Sequence, residues 1–476
     1  MKGSVAPGQR RRPHGRLVSD LAPADFVLPA FVVLAVALGG GGSPSPLPEM
    51  LLEWVALVTF AAVALFHPGD APWPRPALAF AVALLILPAL QLIPLPPAIW
   101  RGLPGREIEA AAVDLALIDL AGAGQKWMPW TVSPPRTLAG LLALLVPAAA
   151  VVVTALASPR SRRYAMAAIA LMALVSAAVG AGQLAGGAHS ALRFYSSSHV
   201  EDLTGFQANR NSAADVLLTG LFAFAALGAS QRVPQWRSAA VGFVAAALLL
   251  AGAVLLTASR AGIALLVVSV AVAALVMGYR HRAWSRPRVR LAVGGTALAV
   301  FAGLAWTVAT NPVLGRIGAR FAGGSEPRPE IWRDTVYAIG QYWPWGSGIG
   351  TFVPVFAAAE RLEAVDSSFP NRAHNDFLEL TLEAGIPGLA LLAVLIGMLA
   401  WRWAIRWRAA AAPQERAELA FAAATLVLLG AHSIVDYPLR SMALATLAGA
   451  ASGFILAPAR HRGGAVSPGR VETKQP

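Results

Sequence analysis

Cysteine is absent from the 476 residues, which removes disulfides, thiolate metal sites and a cysteine nucleophile from consideration. Charge is scarce as well. Only 13% of the residues are Asp, Glu, Lys or Arg, about half the share usual in soluble domains. A hydrophobic fraction of 57% and a mean hydropathy of +0.59 would leave a soluble protein of this size with too much apolar surface in water. The same figures exclude intrinsic disorder. Familiar catalytic signatures are missing too. There is no phosphate loop ending in Gly-Lys-Ser/Thr, no HExxH zinc helix, no GxSxG elbow and no DxD-like acid pair in an outer loop. The eight histidines do not cluster at ligand spacing. What remains is an all-α polytopic membrane protein, expected to use neither metal nor cofactor.

A bilayer-spanning helix needs about 20 mostly apolar residues. Twelve stretches qualify, at 25–42, 50–66, 77–95, 137–157, 164–188, 211–229, 238–257, 261–278, 291–310, 375–400, 417–432 and 441–457. The fifth and tenth are long enough to tilt or to begin outside the bilayer. The first follows RRRPHGR, which is also the basic front of a signal peptide. No clear small-x-small cleavage site precedes the glycines at 39–42, so it reads as an uncleaved anchor.

The net charge of +13 would suggest nucleic acid in a soluble protein. In a membrane protein basic residues first set topology. With the N-terminus in the cytoplasm and alternating spans, 24 of the 38 Lys and Arg residues fall inside, and so does every short basic loop. This arrangement gives a basic cytoplasmic segment 1–24, a membrane domain 25–457 and a cytoplasmic tail 458–476. Three outer loops stand out: 96–136, 189–210 and 311–373. The last is the longest, precedes the tenth span, and reads as functional or lid-like. No repeat and no matching pair of Gly/Pro-broken spans is visible, which disfavours a twelve-helix transporter.

Charged side chains in a membrane cost about 2.5–3.5 kcal/mol each and need a reason. Arg210 lies in GFQANRNSAAD, where the sixth span begins. Arg260 lies in LTASRAG, in the short turn between the seventh and eighth spans. Arg328 lies in RPEIW within the large loop. His374 opens HNDFLELTLEAGIPG at the start of the tenth span. Alternation brings all four to one side of the membrane. Three arginines can make an anion site, since the guanidinium fork donates two hydrogen bonds to phosphate oxygens. A histidine beside them can take a proton near neutral pH. The plainer alternatives are arginines snorkelling to lipid phosphate and a histidine capping a helix.

Asp376, Glu379 and Glu383 follow His374 at helical spacing. They read as salt-bridge partners of these arginines, as modulators of His374, or as a solvated outer turn for which Glu383 is too deep. Asp436 and Arg440 read as an ion pair across the last outer turn. Trp127, Trp130, Trp332, Trp343 and Trp345 fall in outer loops, as interfacial anchors or as platforms for sugar rings.

These motifs resemble a known family, the O-antigen ligase and Wzy-type polymerase superfamily of bacterial envelope glycosyltransferases. HNDFLELTLEAGIPG fits its pattern of His, then Asn, nine residues, Gly, two residues and Gly, here His374, Asn375, Gly385 and Gly388. RPEIWRDTVYAIGQYWPWGSGIGTF is similar to its Arg-x-x-x-Trp stretch followed by Pro-x-Gly-x-Gly-x-Gly-x-Phe. LTASRAG resembles its Ser-Arg-Gly turn, with Ala261 inserted between Arg260 and Gly262. NRNSAA resembles its Asn-x-Asn-x-x-Ala element, and PLPPAIWRGLPG and WTVSPPRTL resemble its first large outer loop. The likeness covers about residues 90–400 with motif order kept.

The resemblance implies a GT-C-like helical membrane fold in the bacterial inner membrane. It implies a donor glycan on undecaprenyl pyrophosphate, presented at the periplasmic face, and an acceptor hydroxyl on lipid A–core, on another glycan or on a protein. Under it, His374 is the base or acceptor-orienting residue, Arg260 and Arg328 hold the pyrophosphate, and Arg210 occupies a less consistently basic position. Asn375, Asp376, Glu379 and Glu383 are supporting residues. Ligase, polymerase and O-linked oligosaccharyltransferase remain alternatives, with the ligase-type His pattern favouring the first.

Overall fold

The computed structural model describes residues 22–41, 46–67, 72–116, 126–195, 199–231, 236–278, 295, 328–365 and 369–458. The basic N-terminal segment up to residue 21, the inner loop 279–290, most of the ninth predicted stretch, the large loop up to residue 327 and the tail from 459 lie outside the described residues.

The described chain is helical apart from one two-residue ladder, Pro94–Leu95 against Met128–Pro129, antiparallel with Pro94 opposite Pro129. Six helices are long and apolar enough to cross a membrane: Leu47–Leu65, Pro134–Leu156, Pro159–His189, Arg210–Ala229, Arg260–Gly278 and Asp376–Ala409. Shorter apolar helices cover Pro23–Leu38, Arg75–Gln91, Ala240–Leu256 and Met442–Leu456. Each predicted stretch other than the ninth falls on a helix, the eleventh on Pro413–His432. The chain is thus an all-α, multi-pass membrane protein. Large side chains such as Val241, Leu249, Val268, Val394 and Trp401 point outward, as a lipid-facing surface requires.

Small residues set the packing. Arg210–Ala229 is the most enclosed candidate span, 89% buried. It packs against helices Pro159–Gly186, Arg260–Gly278, Pro413–His432 and Trp236–Leu256. Its run of Ala213, Ala214, Gly220, Ala223, Ala225, Ala226 and Gly228 lets neighbouring backbones approach; a methyl added at Gly220 would collide with the Ala173 side chain. Helix Met442–Leu456 lies along Pro134–Leu156 through Gly449 and Gly453, one turn apart. Their added Cβ atoms would meet the Pro147 and Val151 carbonyl oxygens at 2.5 and 2.6 Å. Such small-xxx-small contacts replace the hydrophobic driving force that is missing between helices in lipid.

The large loop ahead of the tenth predicted span is itself structured where described, with helices Arg328–Tyr342 and Phe352–Ala359. Ile331, Ala338, Phe352, Val355, Phe356, Ala373 and Leu382 form a separate small core under it. That core seats the loop on the start of helix Asp376–Ala409.

Candidate functional site

Helix Asp376–Ala409 has 34 residues, about 51 Å at 1.5 Å per residue, well beyond a hydrocarbon core of about 30 Å. It is broken near its N-terminal end. Gly385 has φ 53° and ψ −146°, a conformation that favours glycine. Two residues later Pro387 has no N–H to give to the Glu383 carbonyl. The freed backbone groups find other partners. Gly348 N–H donates to Glu383 O at 2.8 Å, Ser347 N–H to Leu382 O at 3.0 Å, and Ile386 N–H to Pro344 O at 2.9 Å. The Gln91 amide donates to Glu383 O at 3.0 Å and accepts from Ile349 N–H at 2.9 Å.

The glycines of PWGSGIG are therefore packing devices. Gly346, Gly348 and Gly350 all have positive φ, and a Cβ at each would strike the broken helix, Thr131 or Arg136. The break separates a short polar N-terminal helix, 376–384, from the apolar span that follows.

His374 sits just ahead of that outer helix with φ 50°, a left-handed conformation costing a non-glycine residue about 1–3 kcal/mol and common at functional sites. Its surroundings hold it there. The Asn375 side chain caps the helix, accepting from the N–H groups of Phe377 and Leu378 at 3.0 Å. The Trp332 indole donates to Ala373 O at 2.9 Å. His374 Nδ1 lies 2.9 Å from Oδ1 of Asp436, and its ring meets Tyr437 edge-on at 4.9 Å.

Asp436 lies in the turn between helices Pro413–His432 and Met442–Leu456 and is 2% exposed. Burial pushes its acid up. The hydrogen bond with His374 and the charges of the His374 and His432 imidazoles, with a small contribution from the nearby Asn211 amide, outweigh that, and hold Asp436 below the usual carboxylate range. An ionised Asp436 accepts from a protonated Nδ1, so Nε2 is the ring atom that can take a proton. Burial and the Asp436 charge push the Tyr437 phenol up to about 12, which keeps it protonated.

Arg210, Arg260 and Arg328 are each the first residue of a helix. The positive end of the helix dipole there adds to the guanidinium charge in favouring an anion. The helices starting at Arg210 and Arg260 pack together. Ala258, two residues before Arg260, is left-handed with φ 51°. Ser259 Oγ donates to Asn211 Oδ1 at 2.7 Å and receives Gly262 N–H at 3.0 Å. Arg328 is within electrostatic reach of His432. Arg210 is engaged by Asp202, Nη1 to Oδ2 at 2.9 Å.

Two expectations about the acids are corrected. Asp436 pairs with His374, not with Arg440. Arg440, in the 3-10 turn Pro438–Arg440, reaches helix 376–384 instead. It lies 2.9 Å from Glu383, 3.4 Å from Glu379 and 3.6 Å from Asp376. The physical reason is that three carboxylates on one buried helix face need a cation. Glu379 also takes Arg372 Nη1 at 2.9 Å and Ala373 N–H at 3.0 Å. Asp376 accepts from Ser433 Oγ at 2.8 Å and Leu439 N–H at 3.2 Å. The acids expected beside the three site arginines thus serve Arg440 and Arg372, and the carboxylate in hydrogen-bond reach of His374 is Asp436.

Two further residues escaped the sequence reading. His432 and Asp215 form a fully buried pair, Nδ1 to both carboxylate oxygens at 2.8 Å. Asp215, about one turn inside a predicted apolar span, was the available signal, since such a residue demands a partner. Of the tryptophans, Trp332 braces the His374 segment, Trp130 and Trp345 meet edge-on at 6.1 Å, and Trp127, Trp343 and Trp345 are exposed. Among the described residues no group of three or more His, Asp or Glu side chains is arranged to hold a metal.

The described residues thus combine a multi-pass helical fold, a histidine–carboxylate pair and three helices that begin at arginines. Residues 245–393 match the O-antigen ligase family, a match that supports an O-antigen ligase/Wzy-type relationship for that stretch. The matched stretch holds Arg260, Arg328 and His374 through Glu383, and stops short of Asp436 and Arg440. No functionally curated protein matches the chain.

Proposed function

We propose that the chain transfers a glycan from undecaprenyl pyrophosphate to an acceptor hydroxyl at the periplasmic face of the bacterial inner membrane, as a ligase acting on lipid A–core. The observation that carries this reading is His374, with Nδ1 on the buried Asp436 at 2.9 Å, beside helices headed by arginines. Nε2 takes the proton of the acceptor hydroxyl. The hydroxyl oxygen attacks the anomeric carbon, the bond to the pyrophosphate oxygen breaks, and the anomeric centre inverts.

Negative charge grows on the leaving pyrophosphate. Arg260 and Arg328, each at a helix N-terminus, stabilise it in place of a divalent metal. Arg210, paired with Asp202, lends longer-range charge. Asn375 fixes the helix that carries His374, and Asp376, Glu379 and Glu383 lock that helix to Arg440 and Arg372.

The test is transfer by the purified chain in nanodiscs from a lipid-linked glycan donor, with EDTA present, to three acceptors offered separately. Product on lipid A–core supports a ligase. Product only on a second lipid-linked glycan makes the chain a polymerase, product only on a peptide an oligosaccharyltransferase, and transfer that requires added Mg²⁺ or Mn²⁺ contradicts the arginine account.

A further inference from the structure

Helix Glu107–Ala116 is anchored to the protein on one face and uncovered on another. Val113 is buried, Glu109 and Ala110 are half-buried, and Arg106, just ahead of the helix, is buried. Gly105, with φ 72°, lies so close to Tyr342 that an added Cβ would stand 2.6 Å from the ring. This end of the helix therefore sits against helix Arg328–Tyr342. Arg101 forks onto Asp114 at 2.6 and 3.1 Å. The neighbouring Trp100 is buried, and its indole donates to Lys126 O at 2.9 Å. Away from these contacts Ile108, Ala111, Ala112 and Leu115 are all exposed. Their spacing puts them in one stripe along the helix. Ile108 and Leu115 are 78% and 72% exposed.

The stripe continues a lipid-facing surface. In the apolar helix Arg75–Gln91, Val82, Ile86 and Leu90 are exposed at successive turns, as on a helix side turned to hydrocarbon. The chain then passes the exposed Ile93 and Ile99 before Ile108, and returns through the exposed Trp127. Large apolar side chains and a tryptophan at the end of a membrane helix suit the boundary between hydrocarbon and headgroups. The charges suit the same layer. Glu107 and Asp114 lie along one edge of the stripe, and Asp114 is paired with Arg101. A second copy of the chain fits poorly. The helix has 10 residues, about 15 Å. Its two large exposed apolar side chains fall short of the roughly 800 Å² per partner in a stable interface.

We propose that helix Glu107–Ala116 is an interfacial helix, with Ile108 and Leu115 seated in the lipid boundary where helix Arg75–Gln91 ends. The ladder Pro94–Leu95 against Met128–Pro129 ties this segment to the bundle. Beside it Thr131 N–H donates to Gln91 O at 3.0 Å, and the Gln91 amide braces the helix break through Glu383 O. Lipid contact here fixes the height of that break, and of the helix that follows His374, relative to the membrane surface.

The chain has no cysteine, so one introduced cysteine takes one nitroxide label. Labels on Ile108→Cys, Leu115→Cys, Val82→Cys and Glu363→Cys, all exposed positions, are compared in nanodiscs by power-saturation EPR. Oxygen, which partitions into lipid, and a water-soluble nickel chelate are the two collision reagents. The expected ratio of oxygen to nickel collisions at 108 and 115 is several-fold above that at 363 and below that at 82. Ala112→Cys, on the same stripe, keeps the test available if either variant does not fold. Adding Ile108→Asp/Leu115→Asp to Ala112→Cys should raise nickel collisions at 112 several-fold with the unfolding temperature unchanged, because the replaced side chains meet lipid and not the protein core. A ratio at 108 and 115 no higher than at 363 means that the stripe faces water. Suppressed collisions with both reagents mean that protein covers it. Either result, or an unchanged nickel collision rate in the triple variant, overturns the proposal.

Discussion

Replacing Asp436 perturbs the account at its least obvious residue. Asp436→Ala removes the acceptor 2.9 Å from His374 Nδ1 and leaves that N–H in a site where Asp436 was 2% exposed. A hydrogen bond to a charged group is worth about 1.5–3 kcal/mol. At about 1.4 kcal/mol per tenfold in rate, single-turnover transfer should fall about 10- to 150-fold. Asp436→Asn should cost more if its NH₂ faces the ring, because His374 is then held in the wrong tautomer, a change that costs up to about 10⁴-fold in a serine-protease triad. Donor affinity should hardly move, since Asp436 contacts the base and not the pyrophosphate site.

The pH dependence follows from the depressed acid. Asp436 titrates below its ordinary 3.8, so its contribution to stability is complete above about pH 4 and is lost as pH falls through the lower folded value. The transfer deficit of the alanine variant should therefore not be reproduced in the wild type by mild acidification to about pH 5 through protonation of Asp436. The assay is rapid-quench transfer in nanodiscs with saturating lipid-linked donor. A folded Asp436→Ala protein that transfers within twofold of wild type would refute the reasoning.

Arg440→Met leaves Asp376, Glu379 and Glu383 without their shared cation. Breaking a buried ion pair from one side costs about 3–5 kcal/mol, so the variant should unfold at a clearly lower temperature, and adding Glu383→Gln should recover part of the loss. Gly385→Ala forces a side chain into φ 53° and against the Pro344 carbonyl; it should lower folded yield in detergent more than Gly397→Ala, where an added Cβ meets nothing. Reporter fusions after residues 285 and 345 should report cytoplasm and periplasm respectively, and a cytoplasmic signal at 345 would put His374 on the wrong side of the membrane.

The helical membrane class was legible because hydropathy acts locally: each predicted stretch on described residues is a helix. The His374 motif, and arginines at polar starts of apolar runs, were legible for the same reason. What the sequence hid was pairing across the bundle. Asp436 and Arg440 lie four residues apart and look like partners, yet the 3-10 turn between Tyr437 and Ser441 sends Arg440 to helix 376–384 and leaves Asp436 for His374, 62 residues away in sequence. Asn211 looked like part of a helix start, because nothing local says that its side chain meets Ser259. The glycines of PWGSGIG matched a family pattern without revealing a role; the Ser347 and Gly348 N–H groups of that segment repair a helix broken at Gly385 and Pro387, a need visible only when the two segments meet.

The central claim is that His374 removes the acceptor proton and does not hold the donor. The measurement is donor binding and single-turnover transfer by His374→Ala in nanodiscs, on protein shown to be folded. The account predicts donor affinity within about twofold of wild type and transfer reduced about 10²–10⁴-fold, the range expected for a lost general base. Transfer at the wild-type rate, or a loss explained entirely by weaker donor binding, would contradict it.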